Sequence, residues 1–328
     1  MGSALGRRLG RRRGRSFHWG PFVAALALAV SLPVVAESAT GSAGKIVISG
    51  AFSSSCDGKG AQICLVDATT HAVTAIPNTG PGSQEPTVTK DGKRIAFVIV
   101  GAGSASLQVM NRDGSGLQTV VSGYAQINHP SLSPDGKSIA FAGEQNSGGK
   151  IVLTVVRADG TDPRILGDPT DVPFASEPTW SPNGQWIAFV SMPDPDTMAS
   201  STNPSGIYEV HPDGTGWHRV EPVTTSLDQD PSWSPNGAWL AFTRLPVSWK
   251  TSHISSLYRM NANGTGARRL TSGFWDGGPV ISPDGTQIAF YRYRGTNIDP
   301  HTYTVSSSGG PARRILAIEA TPSAWLKH

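Results

Sequence analysis

A proline-led segment recurs six times in this 328-residue chain, at intervals of 43 to 53 residues. The copies are marked by Pro86, Pro130, Pro178, Pro231, Pro279 and Pro322. In the first five copies, a Gly-centred tetrapeptide follows, Thr-Lys-Asp-Gly or Ser-Pro-Asp/Asn-Gly, and then Ile/Leu-Ala-Phe. The sixth copy, Thr321 to Trp325, stops where the chain ends. Internal repetition at such a period predicts a repeat architecture, in which each copy is one supersecondary unit.

Each repeat has the residues of two consecutive β-hairpins. Proline presets φ in the tetrapeptide, Asp or Asn tolerates the next position, and glycine accepts a positive φ, so the tetrapeptide predicts a tight reversal between two short apolar strands. A second reversal follows at Asp-Gly, Asn-Gly or Gly-Gly, which are strong hairpin signals. Four antiparallel strands per repeat are typical of one blade of a β-propeller.

The two ends of the chain complement one another. The last copy has only the first strand of a blade, while Lys45–Ile48, Gln62–Val66 and Ala72–Ile76 supply three strands with no repeat of their own. The sequence therefore predicts an all-β, six-bladed propeller over residues 45–328, whose closing blade is shared between the N- and C-terminal segments. Such closure removes the open sheet edge.

The first 36 residues have the pattern of a secretory signal. Six arginines precede an apolar stretch from Pro21 to Val35, and Val34-Val35-Ala36 offers a cleavage site before Glu37. We expect a signal peptide at 1–36, a short linker at 37–44, no membrane span after cleavage, and a periplasmic or extracellular protein. Without those arginines, 21 basic residues remain against 24 acidic ones, a net charge of −3, and no Lys/Arg run indicates nucleic-acid binding.

Cys56 and Cys64 are the two cysteines of the chain and flank a Gly-rich segment. An oxidising compartment favours a disulfide between them, with two buried thiols as the alternative.

The repeat resembles a known family at two points. Pro231-Ser-Trp-Ser-Pro-Asn-Gly-Ala-Trp-Leu-Ala-Phe242, followed by Leu257-Tyr-Arg-Met-Asn-Ala-Asn-Gly-Thr-Gly-Ala-Arg-Arg-Leu-Thr271, is similar to the TolB-type propeller repeat. The resemblance runs from about Lys45 to Lys327 and implies a cell-envelope protein that binds a protein partner, such as a Pal-like lipoprotein. TolB proteins carry an α/β domain before the propeller, whereas about eight residues separate the expected cleavage site from the first strand here.

The connections between the second and third strands of each repeat, and between repeats, vary most in length and share one face of the predicted ring. Variable loops on a rigid scaffold commonly carry binding residues, with aromatic and arginine side chains as anchors. We expect a protein or peptide partner to bind at this loop-rich face to a monomeric propeller. The candidate anchors are Arg244, Trp249, Trp275, Arg292 and Arg294. The alternative is that these side chains fold back on the blades.

The residue before each repeat proline enters the innermost strand, so these residues should ring the mouth of the central channel. Glu85, His129, Glu177 and Asp230 are the polar candidates, with Gly278 and Thr321 in the other two copies. Three carboxylates and an imidazole could attract a cationic side chain from a partner or hold a divalent cation. They could also simply line a water-filled channel.

Enzyme motifs are lacking. The chain has no Gly-x-Ser-x-Gly, His-Glu-x-x-His or Gly-x-x-x-x-Gly-Lys sequence. We therefore expect a binding protein with no cofactor. The alternative is a metal-assisted polysaccharide lyase or hydrolase that acts through the channel mouth, as in oligogalacturonate lyases with a related repeat. Those enzymes hold their metal with several histidines, and the predicted ring offers only His129.

Overall fold

The computed structural model describes residues 44–50, 56, 62–166, 174–192, 206–222, 226–246, 254–272, 275–293 and 300–326. The predicted signal peptide and almost all of the predicted linker lie outside these residues. Within the described part of the chain, no helix has the length and apolarity that crossing a membrane requires.

The described residues form 23 strands. The first three are β1 (Lys45–Gly50), β2 (Ile63–Asp67) and β3 (Val73–Ala75). Blade 1 is β4 (Ser83–Val88), β5 (Arg94–Val100), β6 (Ala105–Asn111) and β7 (Gln118–Tyr124). Blade 2 is β8 (Gln126–Leu132), β9 (Ser138–Glu144), β10 (Val152–Arg157) and β11 (Arg164–Ile165). Blade 3 is β12 (Phe174–Trp180), β13 (Ile187–Met192), β14 (Gly206–Val210) and β15 (His218–Arg219).

Blade 4 is β16 (Ser226–Trp233), β17 (Trp239–Pro246), β18 (Ser256–Asn261) and β19 (Arg268–Arg269). Blade 5 begins with β20 (Trp275–Ile281), β21 (Gln287–Tyr293) and β22 (His301–Ser306). The last strand, β23 (Arg313–Leu326), belongs to two blades. Its first residues pair with β22 as the outer strand of blade 5, and its end pairs with β1 as the inner strand of blade 6. β2 and β3 complete blade 6.

The six-bladed propeller predicted from the repeat is therefore confirmed, with antiparallel pairing throughout and the closing blade shared between the two ends. The sequence predicted two separate strands where the structure has the single continuous strand β23, which runs from blade 5 into blade 6. The register places Ile46 opposite Trp325 and Val47 opposite Ala324.

Apolar side chains pack between neighbouring blades rather than around one centre. Six hydrophobic clusters are present among the described residues, and each joins two adjacent blades, including blade 6 to blade 1. The phenylalanine of each Ala-Phe sequence is fully buried in these clusters. These residues are Phe97, Phe141, Phe189, Phe242 and Phe290. Such packing follows from the repeat, because each blade buries its apolar faces only against its neighbours.

The tight turns form as predicted. In blade 2, the hydroxyl of Ser133 donates to Asp135 Oδ1 at 2.6 Å, and the same oxygen accepts from the backbone N–H of Lys137 at 3.0 Å. Gly136 adopts a φ of 70°, which L-residues disfavour. These local hydrogen bonds hold the pKa of Asp135 below its usual value. In blades 3 and 4, the side-chain oxygens of Asn183 and Asn236 accept the equivalent serine hydrogen bond.

The predicted disulfide between Cys56 and Cys64 is confirmed, with 6.1 Å between the Cα atoms. Cys64 lies in β2, so the bridge ties the preceding segment to blade 6.

Candidate functional site

The first strand of blades 1 to 5 carries a β-bulge at the repeat proline. In blade 1, Gln84 and Thr87 pair with Val98 and Ala96, so two residues of β4 lie opposite one of β5. The residue before the proline adopts a φ between 50° and 58° in all five blades. A non-Gly residue in this region carries strain, and a bulge re-aims its side chain.

The bulges bring the predicted ring residues together. Carboxylates at this position accept hydrogen bonds from the backbone N–H of the equivalent residue in the next blade. Glu85 Oε2 accepts from His129 at 2.5 Å, Glu177 Oε2 from Asp230 at 2.5 Å, and Asp230 Oδ2 from Gly278 at 3.0 Å. We call these three contacts the inter-blade clasps. They connect blade 1 to blade 2, blade 3 to blade 4, and blade 4 to blade 5.

The ionisable side chains at the mouth of the channel affect one another's pKa values. Burial, and then the neighbouring charge of Asp230, raise the pKa of Glu177 to about 7. Enclosure by the protein would lower the pKa of His129, but the charges of Glu85, Glu177 and Asp230 outweigh it and raise that pKa. The His129 side chain nevertheless stays exposed to water in the channel. In the described part of the chain, none of the three carboxylates forms an ion pair with Lys or Arg.

Tyr291 also lies near these ionisable side chains, and it was not predicted from the sequence. Blade 5 has Gly277-Gly278 where other blades carry larger residues, and a Cβ at either glycine would collide with the Tyr291 ring. Burial, followed by the nearby charge of Asp230, raises the pKa of Tyr291. A signal was present, because the residue after Ala-Phe is Val, Ala, Val or Thr in the first four copies and Tyr only in the fifth. In blade 4 that residue, Thr243, donates to Asp230 at 2.8 Å.

The ring carboxylates are already engaged in hydrogen bonds, because one oxygen of each accepts a backbone N–H. Among the residues that the structure describes, no group of three or more His, Cys, Asp or Glu side chains is placed to hold a metal ion. A divalent cation at the channel mouth stays an alternative prediction.

Three of the predicted loop anchors, Arg244, Arg292 and Trp275, lie in strands instead. Arg244 is in β17 opposite Asp228, and Arg292 is in β21 opposite Asp276. Both guanidinium groups form two hydrogen bonds to the facing carboxylate, at 2.6 to 2.8 Å. Both aspartates are fully buried. The loop placement of the two arginines was wrong because each strand extends further than the apolar pattern indicated.

The same arginines stack on aromatic rings. Arg244 lies 5.1 Å from the centroid of Phe242 and 4.8 Å from that of Tyr258, and Arg292 lies at similar distances from Phe290 and Tyr303. Arg244 thus connects neighbouring strands at the loop-side end of blade 4, and Arg292 does the same within blade 5. A role in direct contact with a partner stays a prediction.

Trp275 begins β20, and its ring lies 5.5 Å from that of Tyr293. The remaining anchors, Trp249 and Arg294, lie outside the described residues, as do most residues of the long loops that carry them.

Comparisons with known proteins agree with this fold. The family model described as the TolB beta propeller domain matches residues 48–214. A protein from Bacillus subtilis (strain 168), named as the uncharacterized peptidase YuxL, is 32% identical over 123 residues, which are 37% of this chain and 18% of that protein. The Tol-Pal system protein TolB of Gluconobacter oxydans (strain 621H) is 45% identical over 62 residues, or 19% of this chain and 13% of that protein.

The chain spans less than a fifth of the length of these two curated relatives. Among solved structures, TolB from Acinetobacter baumannii superposes with a TM-score of 0.66 at 18% identity, over 87% of this chain and 67% of that one. This likeness shows the shared fold. Because the family model matches just over half of the 328 residues, the chain belongs to the TolB beta propeller domain family.

Proposed function

We propose that this protein is an exported, monomeric scaffold of the cell envelope that binds a protein or peptide partner at the loop-rich face of its propeller. The observation that carries the proposal is the acidic channel mouth, where three carboxylates face an exposed histidine with no Lys or Arg ion pair among the described residues. The carboxylates there would attract a positively charged segment of a partner.

The scaffold needs no large rearrangement to present this mouth. The inter-blade clasps fix the ring residues to one another, and six apolar clusters hold the blades in place. A rigid site pays less ordering entropy when a partner binds. The membership of the TolB beta propeller family and the Tol-Pal system name of one relative make a Pal-like lipoprotein our first candidate partner.

The direct experiment is a calorimetric titration of the mature protein with the soluble domain of a Pal-like lipoprotein from the same organism. A triple variant, Glu85→Gln, Glu177→Gln and Asp230→Asn, removes the charges but keeps oxygens that can accept the clasp hydrogen bonds. We expect it to weaken binding by about tenfold or more. Asp113→Asn is the matched control, because Asp113 is an exposed turn carboxylate on the opposite face.

Equal affinity of the triple variant and the control would overturn the role of the acidic mouth. Cross-linking in envelope extracts that recovers no partner at all would count against the scaffold itself. Turnover of a polysaccharide that a chelator abolishes, and that His129→Ala removes, would instead support the lyase or hydrolase alternative.

A further inference from the structure

A second polar cavity lies on the opposite face, where blades 3 and 4 supply most of its lining and the tight turn of blade 1 contributes Lys90. Its volume is about 530 Å³. The tight turns of both blades contribute Asn183 and Asn236, and the second-hairpin turn of blade 4 contributes Asn263. Trp186, Glu209 and Trp233 form the inner part of the lining. Because the turns rather than the long loops surround it, this inter-blade cavity is separate from the channel mouth on the loop-rich face.

Glu209 is an unusual residue for its position. It lies in β14 opposite Ala188 of the Ala-Phe sequence. The equivalent residues of the other repeats face the same alanine of their own blades and are Val109, Val155, Arg259 and Thr304. Glu209 is only 5% exposed, and its Oε1 has no hydrogen-bond partner among the described residues. An unpaired buried carboxylate oxygen costs stability, so its presence calls for a role beyond packing.

A second unpaired group lines the same cavity. In blade 3, the indole Nε1 of Trp180 donates to the carbonyl of Ser131 in the preceding blade at 3.0 Å. Trp233 is the equivalent residue of blade 4, yet its buried Nε1 has no partner within the described part of the chain. Two residues of the lining thus each have a buried polar atom without a hydrogen-bond partner among the described residues, the acceptor Glu209 Oε1 and the donor Trp233 Nε1.

The gap between blades 4 and 5 shows which kind of side chain can occupy the position equivalent to Glu209. Between blades 4 and 5, Arg259 takes the place of Glu209. Its guanidinium lies 4.3 Å from the ring centroid of Trp239, the counterpart of Trp186, and donates to the carbonyl of Ser307 in the next blade at 3.1 Å. A cation on an aromatic ring therefore bridges that gap. The gap between blades 3 and 4 has the aromatic ring and the turn, but an anion where the cation would be.

We propose that the inter-blade cavity binds an arginine side chain of a peptide, with its guanidinium paired to Glu209 and a peptide carbonyl accepting from Trp233 Nε1. Trp186 and Trp233 line the cavity with aromatic rings, which favour a planar cation, and one face of the Trp186 ring is stacked on His211. Two hydrogen bonds to a buried carboxylate add to this attraction, because charge-assisted bonds are the stronger ones.

The charged groups around Glu209 agree with this assignment. His218 Nε2 lies 3.8 Å from Glu209 Oε2 and leaves Oε1 for a ligand. Lys90 is an exposed residue of the cavity lining and forms no ion pair with Glu209 in the described part of the chain. Burial raises the pKa of Glu209 to about 7, and the His218 charge lowers it only in part. A bound cation favours the ionised carboxylate, so binding should tighten as the pH rises through this range.

The test compares Nα-acetylarginine N-methylamide with Nα-acetylcitrulline N-methylamide, which has a similar shape and no charge. Binding to the full chain is followed by the indole N–H resonances and by calorimetry at pH 8. We expect the arginine compound to bind about tenfold or more tightly than the citrulline compound. Glu209→Gln should abolish this preference, whereas Glu144→Gln, at a buried carboxylate of blade 2 outside the cavity, should leave it unchanged.

Equal binding of the two compounds, or no binding of either at millimolar concentration, would overturn the proposal. So would an arginine preference that survives in Glu209→Gln. If that variant does not fold, Glu209→Val gives the same test, because the equivalent residues of blades 1 and 2 are Val109 and Val155. The result is independent of the loop-rich face, since the triple variant of the channel mouth leaves this cavity intact.

Discussion

At the scale of single residues, stability depends on keeping both members of the buried pair of Asp228 and Arg244. Asp228 is fully buried and burial raises its pKa, while the hydrogen bonds to Arg244 act in the opposite direction. Removing one partner leaves the other charge buried alone, which typically costs 3 to 5 kcal/mol, whereas removing both costs far less.

A double-mutant cycle tests this pair. Asp228→Ala and Arg244→Ser should each lower the free energy of unfolding by about 3 kcal/mol or more, and the double variant should recover most of it. Blade 3 provides the model for the double variant, because Ala175 pairs with Ser191 there. Urea denaturation measures the three values. Single variants within about 1 kcal/mol of the native protein, with weaker partner binding by Arg244→Ser, would instead assign Arg244 to an interface.

Two carboxylates make stability depend on pH. The pKa values of Glu177 and Glu209 are both raised to about 7 in the folded protein, mainly by burial. The folded state therefore keeps a proton that the unfolded chain releases near its ordinary pKa of 4.5. It follows that stability should fall as the pH rises from about 4.5 to about 7 and level off above. The raised pKa of His129 acts in the same direction.

Urea midpoints across this range measure the effect. Each group should account for at most roughly 3 kcal/mol of this fall, because one pKa unit corresponds to about 1.4 kcal/mol. Glu209→Val should remove the contribution of Glu209 and raise stability at pH 8. An unchanged pH slope in both Glu209→Val and Glu177→Gln would show that neither group titrates in this range.

At the scale of elements, the bulge of an inner strand places one residue in a strained backbone conformation. In three blades, the side chain of that residue forms a hydrogen bond that offsets the strain. Glu85, Glu177 and Asp230 adopt positive φ values and each forms an inter-blade clasp. His129 adopts the same φ of 50°, and blade 5 has Gly278 at this position. The strand therefore requires the left-handed conformation whichever residue is present.

Substitutions of His129 separate the backbone effect from the side chain. His129→Gly should leave the free energy of unfolding within about 1 kcal/mol, because glycine adopts this φ without a steric cost. His129→Val should lower it by roughly 1 to 3 kcal/mol, since a β-branched residue is poorly accommodated there. Thermal and urea unfolding measure both. Equal stability of the two variants would contradict the positive φ.

At the scale of the whole molecule, ring closure depends on β23. Its C-terminal residues pair with β1, and Trp325 and Leu326 contribute to the clusters of blade 6 with blades 5 and 1. The strand also belongs to blade 5, so it couples the two blades covalently as well as by hydrogen bonds. Without its end, β1 would present an open edge and two apolar clusters would lose partners.

Deleting residues 321–328 should therefore destabilise the entire propeller and not one blade. We expect a melting temperature at least about 10 °C lower, or a chain that aggregates, because several buried side chains and a strand are lost together. Deleting only residues 327–328, beyond the end of β23, is the control. A melting temperature equal to that of the control would refute closure through this strand.

The order of strands, the number of blades and the shared closing blade could be predicted from the sequence, because each depends on local signals that the repeat shows several times. Proline and Asp/Asn-Gly fix turns within a few residues, and Ile/Leu-Ala-Phe fixes which strand is buried. The ring of residues before the prolines was also predictable, since a repeat places equivalent residues in equivalent positions.

Only the tertiary structure decided which side chains meet across neighbouring strands. It placed Arg244 and Arg292 in buried pairs instead of loops, brought Tyr291 over Gly277-Gly278, and left Glu209 Oε1 without a hydrogen-bond partner among the described residues. Each of these depends on contacts between residues of different strands. The repeat determined the ring of this propeller through local turn and strand chemistry. The sites on the ring were determined by burial and charge between its strands and blades, which no single segment encodes.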